Sequence, residues 1–83
     1  MNKRTTKILS KKIRRHMDNN GLTFTDANPF PVSWRTIWSI VSCDIKNETK
    51  KFKASTQTKL CDFFGLVYEQ DGNDLIIIEK IKK

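Results

Sequence analysis

Apolar residues recur near the start of the chain at Leu9, Ile13 and Met17, with Ile8 and His16 beside them, while Lys11, Lys12, Arg14 and Arg15 fall on other faces. This i, i+4, i+8 stripe predicts an amphipathic helix over residues 6–20. Asn20-Gly21 supplies the left-handed residue that commonly ends such a helix. In the next segment Thr23 or Thr25 can cap a short helix with Asp26 in its first turn. Pro29 keeps Asn28 out of helical geometry, so that helix is one turn at best. Ser33 then reads as the N-cap of a second clear helix from Trp34 to about Cys43, with Val32, Ile37, Ile40 and Val41 facing inward.

Residues 44–53 are polar, charged and rich in lysine, and read as a loop. Ser55 can cap a further helix to Phe64, with Leu60, Phe63 and Phe64 toward the core and Gly65 closing it. The pattern then changes to β-prone runs at 66–69 and 75–79 around Gln70-Asp71-Gly72-Asn73. Asp-Gly between such runs is a strong hairpin signal. The expected fold is mainly α. It is a single domain over residues 1–83, with a basic arm at 1–7, a small helical bundle and a C-terminal β-hairpin at 66–80.

A chain of 83 residues has room for one domain. It buries only about 60% of its unfolded surface, so a partner subunit would add useful burial. The formal charge is +7, which favours polyanions or anionic membranes. No apolar run approaches the roughly 18 residues of a spanning helix. The basic stretch at 1–7 is not followed by the apolar run of a signal peptide. A cytoplasmic protein is expected, with no membrane partner.

The chemistry of an enzyme finds no foothold. Cys43 and Cys61 lack metal-like spacing, and His16, the one histidine, cannot complete a zinc site with them. Two reduced thiols, Cys61 in the core, are the expectation. His16 has no identifiable serine or cysteine partner. Asp26, Asp44, Asp62, Asp71 and Asp74 show no pairing that suggests acid–base work or a metal site. Three glycines form no phosphate loop. No catalytic residue, metal or cofactor is assigned.

Three pieces of the chain resemble the lambda-repressor and Cro-like (XRE-type) helix-turn-helix family. Gly21-Leu22-Thr23 is similar to the end of that family's first helix and the entry to its second. Val32-Ser33-Trp34-Arg35-Thr36-Ile37-Trp38-Ser39-Ile40 is similar to its turn and recognition helix. Ser55-Thr56-Gln57-Thr58-Lys59-Leu60-Cys61-Asp62-Phe63-Phe64-Gly65-Leu66 resembles the helix that closes its core. The chain departs from the family where Pro29, Phe30 and Pro31 replace the continuation of the second helix. Residues 44–51 exceed the usual connection, and Gln57 takes a place often held by an apolar residue. The resemblance implies a Cro-like repressor of a phage or mobile element, acting in the host cytoplasm and binding operator DNA as a homodimer. A winged-helix arrangement, with residues 55–64 reading DNA and the hairpin as wing, is a second geometry. A small protein-binding inhibitor of the anti-defence or anti-CRISPR type, reusing the same scaffold, is the rival function.

On this reading Ser33, Trp34, Arg35, Thr36, Trp38 and Ser39 face the major groove. Arg35 is the main base-reading candidate, because guanidinium bonds in bidentate fashion to guanine O6 and N7. Trp34 and Trp38 are open between DNA contact, core and a protein-binding patch. Lys3, Arg4 and Lys7 are read as an arm over phosphates, against a disordered basic tail. Lys50, Lys51 and Lys53 are read as backbone contacts or solvated charge. Leu75, Ile76, Ile77 and Ile78 are apolar at consecutive positions, so both faces of their strand need cover. That run is the expected dimer interface.

Overall fold

The computed structural model describes residues 1–72 and 74–78. Within them lie α1 (Lys3–Asn19), α2 (Trp34–Lys46), α3 (Ala54–Phe64), β1 (Val67–Asp71) and β2 (Asp74–Ile78). The chain is mainly helical, with one two-stranded antiparallel sheet among the described residues.

The apolar stripe of α1 is buried as its spacing requires: Leu9 and Ile13 are fully covered and Met17 nearly so. They meet Ile37 and Ile40 from α2, Leu60 and Cys61 from α3, and Leu75 and Ile77 from β2 in one continuous core. Each helix ends in the same way. Gly21, Asn47 and Gly65 adopt positive φ, and the following residue's N–H reaches back to the carbonyl of Met17, Cys43 or Cys61 at 2.8 Å. This satisfies carbonyls that a helix end otherwise leaves open. Ser33 caps α2, its hydroxyl accepting from the Thr36 N–H at 3.3 Å.

Several expectations need correction. Residues 1–7 are not an arm, because α1 begins at Lys3. Asn2 caps it, accepting from the Thr5 N–H at 2.8 Å. Thr5 and Thr6 are buried because that turn packs under the hairpin, and the Thr5 hydroxyl donates to the Leu75 carbonyl at 2.9 Å. The short helix after Thr23 is absent. Thr23 to Asp26 is a single turn, in which the Asp26 carboxylate accepts from the Thr23 N–H at 2.6 Å. Local side-chain bonds here compete with helix formation, and Pro29 blocks its extension. α2 continues past Cys43 to Lys46, since Asn47 accepts the left-handed conformation that Asp44, Ile45 and Lys46 do not need. Lys53, not Ser55, occupies the N-cap of α3 and makes no side-chain capping bond. Phe63 turns outward at 39% exposure, and Gln57 takes the buried place, donating to the Phe52 carbonyl at 3.1 Å.

The hairpin pairs Val67 with Ile78, Tyr68 with Ile77, Glu69 with Ile76, Gln70 with Leu75 and Asp71 with Asp74. Asp71 and Asp74 form the last pair, so Asp71 belongs to β1 rather than to the turn that the Asp-Gly signal suggested, and Gly72 follows at φ 61°. Residues 79 and 80, expected to extend the second strand, lie outside the described residues.

Candidate nucleic-acid interface

The positions expected to read DNA sit on α2, which the core holds firmly. Ile37, Ile40 and Cys43 are buried on one side of the helix. Arg35 and Trp38 project from the other, Trp38 at 56% exposure, with Ser39 partly covered beside them. Ser33 and Thr36 bond to each other at 3.1 Å across the first turn. That pair fixes the start of the helix rather than leaving two free hydroxyls.

Trp34 has a different role from Trp38. Its indole Nε1 donates to the Asp26 carbonyl at 2.8 Å, and its ring meets Phe24 and Phe30 edge-on at centroid distances of 5.2 and 5.7 Å. The irregular segment before α2 is therefore tied down by Trp34 and by Phe30, which is buried in the core. Asn28 completes the fastening, accepting from the Phe30 N–H at 2.9 Å and donating to the Val32 carbonyl at 2.6 Å. These bonds replace the positioning that a second helix would provide.

Lys3, Arg4 and Lys7 line an open cleft of about 430 Å³ with Cys43, Asp44, Asn47 and Glu48 at the far end of α2. The residues of that cleft at the end of α2 are roughly 12–20 Å along the helix from Arg35, at about 1.5 Å per residue. Lys3, Arg4 and Lys7 do not converge on the Arg35 end of the helix. Arg4 is partly committed, its guanidinium donating to the Ile77 carbonyl at 2.6 Å. Arg14 pairs with Asp44 at 3.2 Å. Lys50, Lys51 and Lys53 lie in the exposed link before α3, where Lys50 approaches the Phe52 ring at 6.0 Å.

The sequence reading missed Ser42, Ile45 and Lys46, which extend the outer face of α2. Ile45 is 69% exposed and stands seven residues beyond Trp38, on the same line of the helix. The left-handed tolerance of Asn47 was the signal available for that longer helix.

No family model, curated protein or solved structure matches this chain.

Charge is divided unevenly between the parts. Residues 1–59 carry thirteen Lys or Arg against four Asp or Glu. Residues 60–78 carry four Asp or Glu and neither Lys nor Arg. Up to residue 78 the positive charge lies in the helices and their links, while the hairpin presents Glu69 and Asp71; Lys80, Lys82 and Lys83 follow in the sequence.

Leu75 and Ile77 are core residues, at 0% and 1% exposure, so only Ile76 and Ile78 of the expected dimer contacts reach outward. Cys43 and Cys61 are free and buried. The Cys61 thiol is pushed up to about 11 by burial and, secondarily, by the Asp62 charge. Among the described residues no His, Cys, Asp and Glu cluster could hold a metal ion, and no helix is long and apolar enough to cross a membrane.

Proposed function

We propose that the chain is a sequence-specific regulator that binds double-stranded DNA by laying α2 in a major groove. The observation that carries this reading is the two-sided character of α2. Ile37 and Ile40 anchor one side, and Arg35, Trp38, Ser39 and Ser42 line the other, in the cation-rich part of the chain. Arg35 reads a guanine edge, and Trp38 packs on thymine methyls or the sugar wall. Lys3 and Lys7 contact phosphates further along. The likeness to lambda-repressor and Cro-like proteins supplies the biological form: a helix-turn-helix regulator of a phage or mobile element that represses by occupying an operator. In this form the helix-turn-helix motif has lost its second helix to the side-chain-fastened segment before Ser33. With Leu75 and Ile77 committed to the core, Ile76, Ile78 and Val67 are the hairpin's apolar residues left for the expected twofold contact. Two copies on a palindromic operator remain the arrangement that the resemblance implies.

Electrophoretic mobility shifts with the DNA upstream of the chain's own gene test the reading. Tight, salt-sensitive and site-selective binding is expected.

A second reading, a protein-binding inhibitor on the same scaffold, draws on the exposed Trp38 and Ile45. Two large apolar side chains on one face of α2 suit a protein groove as well as a DNA groove. Binding that is salt-sensitive but blind to sequence would favour this second reading.

A further inference from the structure

In an antiparallel ladder, residues alternate between bonding across the pair and directing their N–H and C=O outward. The carbonyls of Leu75 and Ile77 turn away from β1, because Thr5 and Arg4 donate to them at 2.9 and 2.6 Å. The outer edge of β2 is thereby closed by α1. Tyr68 and Gln70, paired with Ile77 and Leu75, direct their backbone groups to the opposite, open side of β1. Among the described residues none of these four groups has a partner. The sheet face away from the core carries Val67, Glu69 and Asp71 opposite Ile78, Ile76 and Asp74. Val67 and Ile76 are 49% and 42% exposed.

We propose that this edge and face form a docking site for an extended, basic segment of a protein partner, which joins the sheet as a third strand. Charge selects the occupant. β1 holds two carboxylates and no cation, so a second copy of the strand would set Glu69 and Asp71 against carboxylates or Val67, never against a cation. Like charges opposite each other in a ladder are destabilising. A segment alternating Lys or Arg with apolar residues meets Glu69 and Asp71 with cations, while its backbone satisfies Tyr68 and Gln70. The site is separate from the outer face of α2 and does not depend on what that face binds.

The probe is a capped octapeptide alternating lysine and valine, titrated into the full ¹⁵N-labelled chain, with a glutamate–valine peptide as control. The lysine peptide should shift the Tyr68 to Asp71 amides, slow exchange at Tyr68 and Gln70, and bind at least tenfold tighter than the control. Gln70→Pro removes an outward donor at an edge position where proline is tolerated. It should cost at least tenfold in binding with the melting temperature retained. If proline disturbs the hairpin, the double variant Glu69→Lys with Asp71→Lys decides, and its preference should reverse to the glutamate peptide. Equal binding of both peptides, or binding untouched in both variants, would overturn the proposal. So would a dimer that Gln70→Pro dissolves, because the occupant would then be a second copy.

Discussion

The outer face of α2 and the outer face of the hairpin both expose apolar side chains, yet they belong to parts of opposite charge. Trp38 and Ile45 stand in the part with thirteen cations, and Val67 and Ile76 in a stretch with none. Where two exposed apolar faces differ in the charge around them, each suits a different class of partner. One core, running from Leu9 and Ile37 to Leu75 and Ile77, holds both faces in fixed relation. The difference between them is therefore built into one rigid unit rather than into separable pieces.

The largest expected effect tests which side of β2 belongs to that unit. Leu75→Ala should cost about 2–5 kcal/mol, as for other fully buried leucines, whereas Ile76→Ala should cost well under half of that. Chemical denaturation of the two variants makes the comparison. Equal losses would mean that the outer face of the hairpin is covered within the chain.

The junction between the helices and the hairpin should show in alkali. Burial raises the Cys61 thiol from its ordinary 9.0 to about 11, so above pH 9 the unfolded chain releases a proton that the folded one keeps. The corresponding stability is fully present below pH 9 and is lost as pH rises to 11. Melting temperatures from pH 7 to 10.5 should fall more steeply for the wild type than for Cys61→Ala. Parallel curves would place the thiol in a wetter setting.

On the α2 side, Arg35→Ala should cost about 1–3 kcal/mol on the selected site and relax one base pair. Equal losses on random DNA would make Arg35 a phosphate contact. Neutralising Lys3 and Lys7 together should weaken all sequences alike and flatten the salt dependence by up to about two units of slope. An unchanged slope would remove the start of α1 from the interface.

The sequence carried the helices where a residue's backbone preference is specific. Ser33 at a cap and Gly21 and Gly65 at positive φ mark boundaries that the structure keeps. The apolar stripe of α1 was legible for the same kind of reason, because its period admits one buried face. What escaped notice depends on contacts between distant residues. Thr5 looks like part of a polar arm until the Leu75 carbonyl, seventy positions away, accepts its hydroxyl. Trp34 stays open between groove, core and protein contact until the Asp26 carbonyl claims its indole. Leu75 and Ile77 differ from Ile76 only through strand alternation, whose phase depends on the hairpin register. For the candidate site, Arg35 and Trp38 could be named from sequence. Ser42 lay within the expected helix but was not picked out, and Ile45 was missed because the left-handed tolerance of Asn47, the mark of the longer helix, was not used.

The account rests on α2, and not the hairpin, being the surface that meets DNA. Amide chemical-shift mapping of the full chain with the selected duplex tests this most directly. Shifts concentrated at Arg35, Trp38, Ser39 and Ser42, with residues 67–71 unmoved, are the predicted result. Shifts concentrated on α3 and the hairpin, with Arg35 and Trp38 unmoved, would contradict it.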